Sequence, residues 1–235
     1  MLKSWPVRHR QTDIDRHIAA MVQALNAGGF GVRLHPDAME YRRFAVSADG
    51  HDPASPLDPC FADLPRGSFF WIQVLDGQSR PVAICAARAL QAPRWRGGLA
   101  GMLRNQSLFS RPAETLIAPM VEVPEANMSG CLGYIGGGWT QPEYRRKGLI
   151  GFAVRLAQMH LVKHHRIRHA VGFVREKHLD LALAADGYAF AGALQAFMPY
   201  CAGTGFPERL YLVHLSADRI RQRANAVPNY SLKGA

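Results

Sequence analysis

The sequence predicts a single α/β (α+β) domain in which helices pack against a mixed β-sheet. Three observations carry this prediction. Segments rich in β-branched and aromatic residues alternate with segments of helical spacing, in the order strand, helix, strands, helix, strand, helix, strands. Residues 68–88 have the pattern of a hairpin: two apolar arms joined by a polar turn with Gly77 and Pro81. Residues 131–164 run from a strand, through glycines and a basic turn, into a long amphipathic helix. The chain has 235 residues, 48% of them hydrophobic and 20% charged, which suits one globular domain and excludes a mainly disordered chain.

Each element follows from its local pattern. Residues 5–10 are short and extended in character. Thr12 is a candidate N-cap, with Asp15 three residues on, and Ile14, Ile18, Met21, Val22 and Leu25 follow at helical spacing until Gly28 and Gly29 close the helix. Residues 30–66 are mixed: a short helix is expected over 38–43, and the proline-rich 52–59 reads as loop. The arms of the hairpin, 68–75 and 82–88, are nearly continuous apolar runs, as expected of strands buried on both faces. Residues 90–127 read as an insertion or long connection with a basic middle and a candidate strand over 115–123. The strand over 131–140 contains Gly136, Gly137 and Gly138, which points to a bulge or a close backbone approach. From Gly148 to about His164, Leu149, Phe152, Leu156, Met159 and His160 form one helical stripe. A buried strand at 170–174, a short helix ended by Gly187, and strands within 188–199 and 210–215 complete the pattern. The domain is expected to span residues 1–216, and the polar tail 217–235 is expected to fray.

Charge and cysteine content bound the function. There are 28 Lys plus Arg against 18 Asp plus Glu, a net charge of +10. This favours polyanionic partners such as nucleic acid, acidic lipid, an acidic protein or a phosphorylated cofactor, although a solvated basic surface also accounts for it. Cys60, Cys85, Cys131 and Cys201 are far apart with no CxxC pair, which argues against a zinc ribbon or a disulfide framework. The first ten residues have no apolar h-region and no run is long enough to span a bilayer. A soluble cytoplasmic protein with no membrane partner is the expectation.

The chemistry concentrates in GGGWTQPEYRRKGLIGFAVRL, residues 136–156. A strand ends at Thr140, a turn with Pro142 follows, and Arg145, Arg146, Lys147 and Gly148 lead straight into a helix. Backbone N–H groups at a helix start are unpaired and carry partial positive charge, and a glycine there admits an anion to the backbone. Three adjacent cations add attraction, so this is a phosphate or pyrophosphate site in pattern. It is neither a Walker loop nor a GxGxxG dinucleotide turn.

This segment resembles the acyl-CoA motif of the GNAT superfamily of N-acyltransferases, in which a strand is followed by Pro-x-Tyr-Arg and then by Gln/Arg-x-x-Gly-x-Gly/Ala opening a helix. Pro142, Glu143, Tyr144 and Arg145 match the approach, and Arg145, Arg146, Lys147 and Gly148 match the first four motif positions. Position six is Ile150, and the next glycine is Gly151. Residues 7–13 with the helix after them resemble the superfamily's first strand and helix. The 68–88 hairpin matches its central antiparallel strands, and Gly187 with Phe190 resembles the end of its short fourth helix.

The resemblance implies a GNAT-like, mostly antiparallel sheet whose strands 131–140 and 170–174 splay to form an acyl-CoA cleft. Backbone amides of Arg146, Lys147, Gly148, Leu149, Ile150 and Gly151 would hold the pyrophosphate. Gly138, Trp139 and Thr140 would pair with the pantetheine arm. The implied reaction is direct attack of a primary amine on the thioester of acetyl-CoA or another acyl-CoA, with no metal. A branched Ile150 would either crowd the pyrophosphate or shift the loop by one residue. The superfamily's tyrosine acid corresponds here to Leu183, so the candidate acid is Tyr134 on the cleft strand, with Glu122 or Glu125 as candidate bases.

Plainer readings stand beside these. Tyr134 also fits a core or rim aromatic, the two glutamates surface carboxylates, and Cys85 and Cys131 packed thiols. His160 and His164 have i, i+4 spacing but no carboxylate lies anywhere from Arg145 to Val174, so a basic helix face is expected rather than a metal site. Two other functions stay open: a CoA-binding or sensing module without turnover, and an acyltransferase fed by an acyl carrier protein or aminoacyl-tRNA. A nucleic-acid or acidic-protein binder has the charge in its favour but no recognisable motif. The amine, the acyl chain length and the oligomeric state are not read from the sequence.

Overall fold

The computed structural model describes residues 8–48, 55–60, 62–104, 108, 128–184, 189–197 and 207–225. The first helix, α1 (Arg8–Ala27), buries Ile14, His17, Met21 and Leu25 along one stripe. It ends where Gly29 adopts φ +79° and the Phe30 N–H returns to the Leu25 carbonyl at 2.9 Å, a glycine-terminated helix end. Strand β1 (Gly31–His35) and helix α2 (Ala38–Ser47) follow. The Asp37 carboxylate caps α2 by accepting from the Met39 and Glu40 N–H groups. Strands β2 (Phe69–Leu75) and β3 (Pro81–Ala92) form the expected hairpin, and β2 is buried along its whole length. After β3 come a 3₁₀ turn at Arg94–Arg96 and the short helix α3 (Gly98–Arg104). Then follow β4 (Gly130–Thr140), α4 (Leu149–His165), β5 (His169–Arg175), α5 (Leu179–Ala184), β6 (Ala189–Phe197), β7 (Pro207–Ser216) and α6 (Ala217–Asn225).

The seven strands form one sheet in the order β1-β2-β3-β4-β5-β7-β6. Every neighbouring pair is antiparallel except β4 and β5, which run parallel. The mixed, mostly antiparallel sheet flanked by helices is therefore as expected. One face packs on α1, α4 and α6 through Phe70, Ile72, Val74, Leu156, Met159 and Ile220 among others. The other face carries Tyr41 and Ala45 of α2, Leu57, and Leu99 and Leu103 of α3, against Phe69, Trp71, Leu132 and Tyr134.

Three expectations need correction. Arg8–Ala27 is helix throughout, so residues 8–10 are not strand and Thr12 does not cap the helix start. The sheet's first strand is Gly31–His35 and the helix after it is Ala38–Ser47, so the helix that follows residues 7–13 lies before the first strand of the sheet and not after it. Residues 217–225 do not fray but form α6, and the rest of the expected tail lies outside the described residues. Ala217, Ile220 and Ala224 lie on one side of it and are 4%, 1% and 8% exposed. The Ser216 hydroxyl accepts from the Arg219 N–H at its start. The polar composition of this segment hid three apolar residues at helical spacing. The candidate strand over 115–123 lies outside the described residues.

Candidate functional site

The site begins with a defect in the sheet. Ile84 of β3 faces Trp139 of β4, whereas Ala86 faces Gly136. One residue of β3, Cys85, thus spans two of β4, Gly137 and Gly138, which is a β-bulge. Gly137 has φ +58°, a left-handed conformation that costs a side-chain-bearing residue. A Cβ built there would lie 2.0 Å from the Tyr41 hydroxyl oxygen. Tyr41 is fully buried against Phe69 and Trp71, so α2 presses a rigid phenol onto the bulge. The glycine run is thus a bulge, and its middle residue must be glycine.

The sheet opens just before the bulge. β4 and β5 pair only from Leu132 with His169 to Tyr134 with Val171. β5 then stays with β7 along its full length, while β4 continues to Thr140 beside β3. The two parallel strands diverge after Tyr134, leaving a wedge whose β4 wall carries the bulge.

The turn after β4 is anchored on the hairpin. The Gln141 N–H donates to the Val82 carbonyl at 2.9 Å. The Tyr144 hydroxyl donates to Asp76 Oδ2 at 3.3 Å and its ring meets Phe30 edge-on at 6.0 Å. Asp76 sits in the β2–β3 turn, where it accepts from the backbone N–H groups of Gln78 and Arg80 and pairs with the Arg80 guanidinium at 2.7 Å. The Arg80 contacts hold its carboxyl down to about 2. Tyr144, Asp76 and Arg80 therefore fix the turn from beneath. This support was not read from the sequence, although an Asp opening an Asp-Gly-x-x-Arg turn is its trace.

Arg146 has φ +67° and Gly148 φ +78°, alternating with the residues around them. Successive N–H groups in such a loop converge toward an anion. Gly148 caps α4 without a side chain, and the first helical hydrogen bond comes from Phe152 to the Gly148 carbonyl at 3.3 Å. The amides of Leu149, Ile150 and Gly151 therefore have no acceptor within the helix. No acidic residue stands in the first turn, and a Cβ at Gly148 would meet nothing within 4 Å. Gly148 thus has free space at its Cβ position, and the first turn of α4 brings no carboxylate to these amides.

The three cations are not equivalent. Arg145 donates from Nε to the Thr140 carbonyl at 3.3 Å, Arg146 is exposed, and the Lys147 ammonium lies 5.4 Å from the Tyr144 ring centre. Ile150 does not project into the loop. Its Cδ1 would lie 3.1 Å from a Cβ on Gly138, so the branched side chain fills the space that the bulge glycine leaves. Trp139 is half-buried and meets Phe44 of α2 edge-on at 5.5 Å.

Among the catalytic candidates, Tyr134 is buried with its hydroxyl beside Gly136: a Cβ there would lie 3.1 Å from it. Burial raises its phenol pKa above the ordinary value, and nearby Arg88 opposes that in part. Glu122 and Glu125 lie outside the described residues. Leu183 of α5 is half-buried against the core. Cys85 is buried, and the Cys131 thiol, raised by burial, donates to the His165 carbonyl at 3.4 Å. His160 packs 4.4 Å from Phe70 and 4.3 Å from His164, and its desolvated imidazole is lowered to about 4. Among the described residues no group of three or more His, Cys, Asp or Glu is placed to hold a metal, and no helix there is long and apolar enough to cross a membrane.

No family model matches the chain, and no curated protein matches it in sequence. Solved structures do match. A variant of the spermidine N-acetyltransferase SpeG from Vibrio cholerae superposes with a TM-score of 0.50 at 8% identity, covering 84% of this chain and 99% of that one. The same enzyme with manganese ions gives 0.49 at 9% identity, covering 85% and 99%. NAA60 from Arabidopsis thaliana with acetyl-CoA gives 0.46 at 11% identity, covering 80% and 99%. At such identities the likeness speaks for the fold alone, and the first of the three carries it. The chain has the GNAT fold.

Proposed function

We propose that the protein is an acyl-CoA-dependent N-acyltransferase, most simply an acetyltransferase, acting on a primary amine. The observation that carries this is the conjunction of the β4 bulge, the divergence of β4 from β5, and the open left-handed loop at the start of α4. Each could occur alone in an unrelated sheet. Together they supply an extended edge for a pantetheine arm, a wedge for the thioester and a backbone anion site at the matching end. The fold shared with a spermidine N-acetyltransferase agrees with this reading.

In this proposal the amides of Arg146, Lys147, Gly148, Leu149, Ile150 and Gly151 take the pyrophosphate, with Arg145 and Arg146 adding charge. The backbone of Gly138, Trp139 and Thr140 aligns the pantetheine arm. The Ile150–Gly138 contact keeps the loop and the strand in register, so Ile150 is no obstacle. The amine nitrogen attacks the thioester carbonyl carbon, the carbonyl oxygen takes the negative charge, and a backbone amide at the bulge is the proposed donor to it. Collapse breaks the carbon–sulfur bond, and the thiolate leaves with a proton. Tyr134, held protonated by burial, is the proposed donor of that proton. Glu122 is the proposed acceptor of the proton shed by the amine.

A second reading, CoA binding without turnover, is favoured by Leu183 at the superfamily's usual acid position. The deciding experiment is release of free thiol from acetyl-CoA over a panel of amino acids, peptides and polyamines. Amine-dependent release saturating in both substrates supports the transferase. Saturable acetyl-CoA binding with no release on any amine supports the second reading.

A further inference from the structure

On the face of the sheet that packs on α2 and α3, β3 presents Ile84, Ala86, Arg88 and Leu90 in alternation. A charged residue thus stands in a row of apolar ones, with Phe69 opposite it on β2 and Tyr134 opposite it on β4. Arg88 is only 6% exposed. Its Nη1 donates to the Asp63 carbonyl at 3.4 Å and its Nη2 to the Leu108 carbonyl at 3.5 Å, both at the limit of a hydrogen bond. Its Nε is buried with no acceptor. Among the described residues no carboxylate forms an ion pair with it.

A guanidinium cannot shed its proton to escape burial; the Asp63 carboxylate and the Tyr134 phenol favour its charge from beyond ion-pair distance, and the two long contacts to carbonyls leave Nε without an acceptor. The edge formed by Nε and Nη2 presents two parallel N–H groups, the arrangement that a carboxylate satisfies with both oxygens. Its location matters as much as its chemistry. Tyr134 beside it is the last residue of β4 that pairs with β5, and the Tyr134 hydroxyl reaches Gly136 at the foot of the bulge. Arg88 therefore stands next to the point of the wedge.

We propose that Arg88 anchors the carboxylate of the acyl acceptor, so that the acceptor is a carboxylate-bearing amine such as an amino acid or a peptide. This rests on the N-acyltransferase reading and adds the substrate class to it. The carboxylate takes no part in bond making; it binds Nε and Nη2 while the amine nitrogen of the same molecule attacks the thioester. The net charge of +10 points the same way, because it repels polyamines and attracts anionic acceptors.

The test is a set of matched pairs. Acetyl-CoA turnover is followed with amino acids, with their carboxamides and with spermidine. The expected result is a kcat/KM at least about tenfold higher for the acid than for its amide, as for a buried charged hydrogen bond. Arg88→Gln should bring the acid down to the level of its amide, mainly through KM, and Arg88→Lys should fall between. Equal use of acid and amide by the wild-type protein, or preference for spermidine, overturns the proposal whatever the variants do. So does an acid preference that survives Arg88→Gln in protein shown to be folded by its melting curve. A separate arm needs no turnover: an N-acetyl amino acid should raise the melting temperature of the wild-type protein, its amide should not, and Arg88→Gln should lose the effect. If no amine is acylated, the transferase reading fails, and this arm still decides whether Arg88 holds a carboxylate.

Discussion

Replacing Gly137 with alanine tests the bulge and its support from α2 together. Two costs add. A side-chain-bearing residue at φ +58° pays about 1 kcal/mol of backbone strain. The new Cβ would sit 2.0 Å from the Tyr41 hydroxyl oxygen and 3.1 Å from Cζ, on a phenol that is fully buried and cannot swing away. Overpacking of that kind costs about 1–3 kcal/mol. Gly137→Ala should therefore destabilise the protein by about 2–4 kcal/mol in urea unfolding, read as a lower midpoint at unchanged slope. Gly77→Ala is the control: nothing lies within 4 Å of its Cβ, and its effect should stay within about 0.5 kcal/mol. Tyr41→Phe removes the clashing oxygen, so Gly137→Ala should cost about 1–2 kcal/mol less in that background. If Gly137→Ala matches Gly77→Ala, or if Tyr41→Phe brings no relief, the packing of α2 on the bulge is not as described.

Three more outcomes follow from particular contacts. Tyr144→Phe removes the hydrogen bond to Asp76 and should cost about 1 kcal/mol in stability while weakening acetyl-CoA affinity several-fold, measured by calorimetry. Ile220→Ala, in the helix that replaces the expected frayed tail, should cost about 2–4 kcal/mol in thermal unfolding; a frayed tail would show no change. Stability should fall as pH drops from about 6.5 toward 4. His160 is held neutral down to about 4 by desolvation and then by His164, His165 and Lys163, whereas the unfolded chain takes up its proton near 6.5. The stability present above 6.5 is thus lost on the way down, by about 2 kcal/mol once partial exposure is allowed for. His160→Phe should flatten the melting temperature over that range, and an unchanged slope would remove His160 as its cause.

Much of this was legible in the sequence because each signal was local. The hairpin shows in two apolar arms around an Asp-Gly turn, and the bulge in three glycines inside an otherwise apolar strand. The anion loop shows in a proline turn, three cations and a glycine before a helical stripe. What was missed depends on tertiary contacts. Residues 8–10 are helical because the stripe of Ile14, Met21 and Leu25 is buried against α4 and α6, and no nearby residue announces this. Among the described residues of α6 the buried ones are Ala217, Ile220 and Ala224, set in an otherwise polar stretch, which is why this segment looked polar. Tyr41 could not be connected to Gly137, ninety-six positions away, without knowing that α2 lies across the sheet. Ile150 looked like an obstacle because its partner Gly138 belongs to a different element. Arg88 ends the apolar arm 82–88 and nothing local marks it as buried; its setting beside Tyr134 and Asp63 is a tertiary one.

The central claim, that the loop before α4 and the bulge of β4 together bind an acyl-CoA, is tested most directly by calorimetric titration of acetyl-CoA into the wild-type protein and into Gly148→Trp, with ATP as the control ligand. The account predicts saturable binding of acetyl-CoA at one site per chain, little or no binding of ATP, and at least about a tenfold loss of affinity in Gly148→Trp, where a bulky side chain would cover the open amides. No acetyl-CoA binding by the folded wild-type protein, or the same affinity in Gly148→Trp, would contradict it.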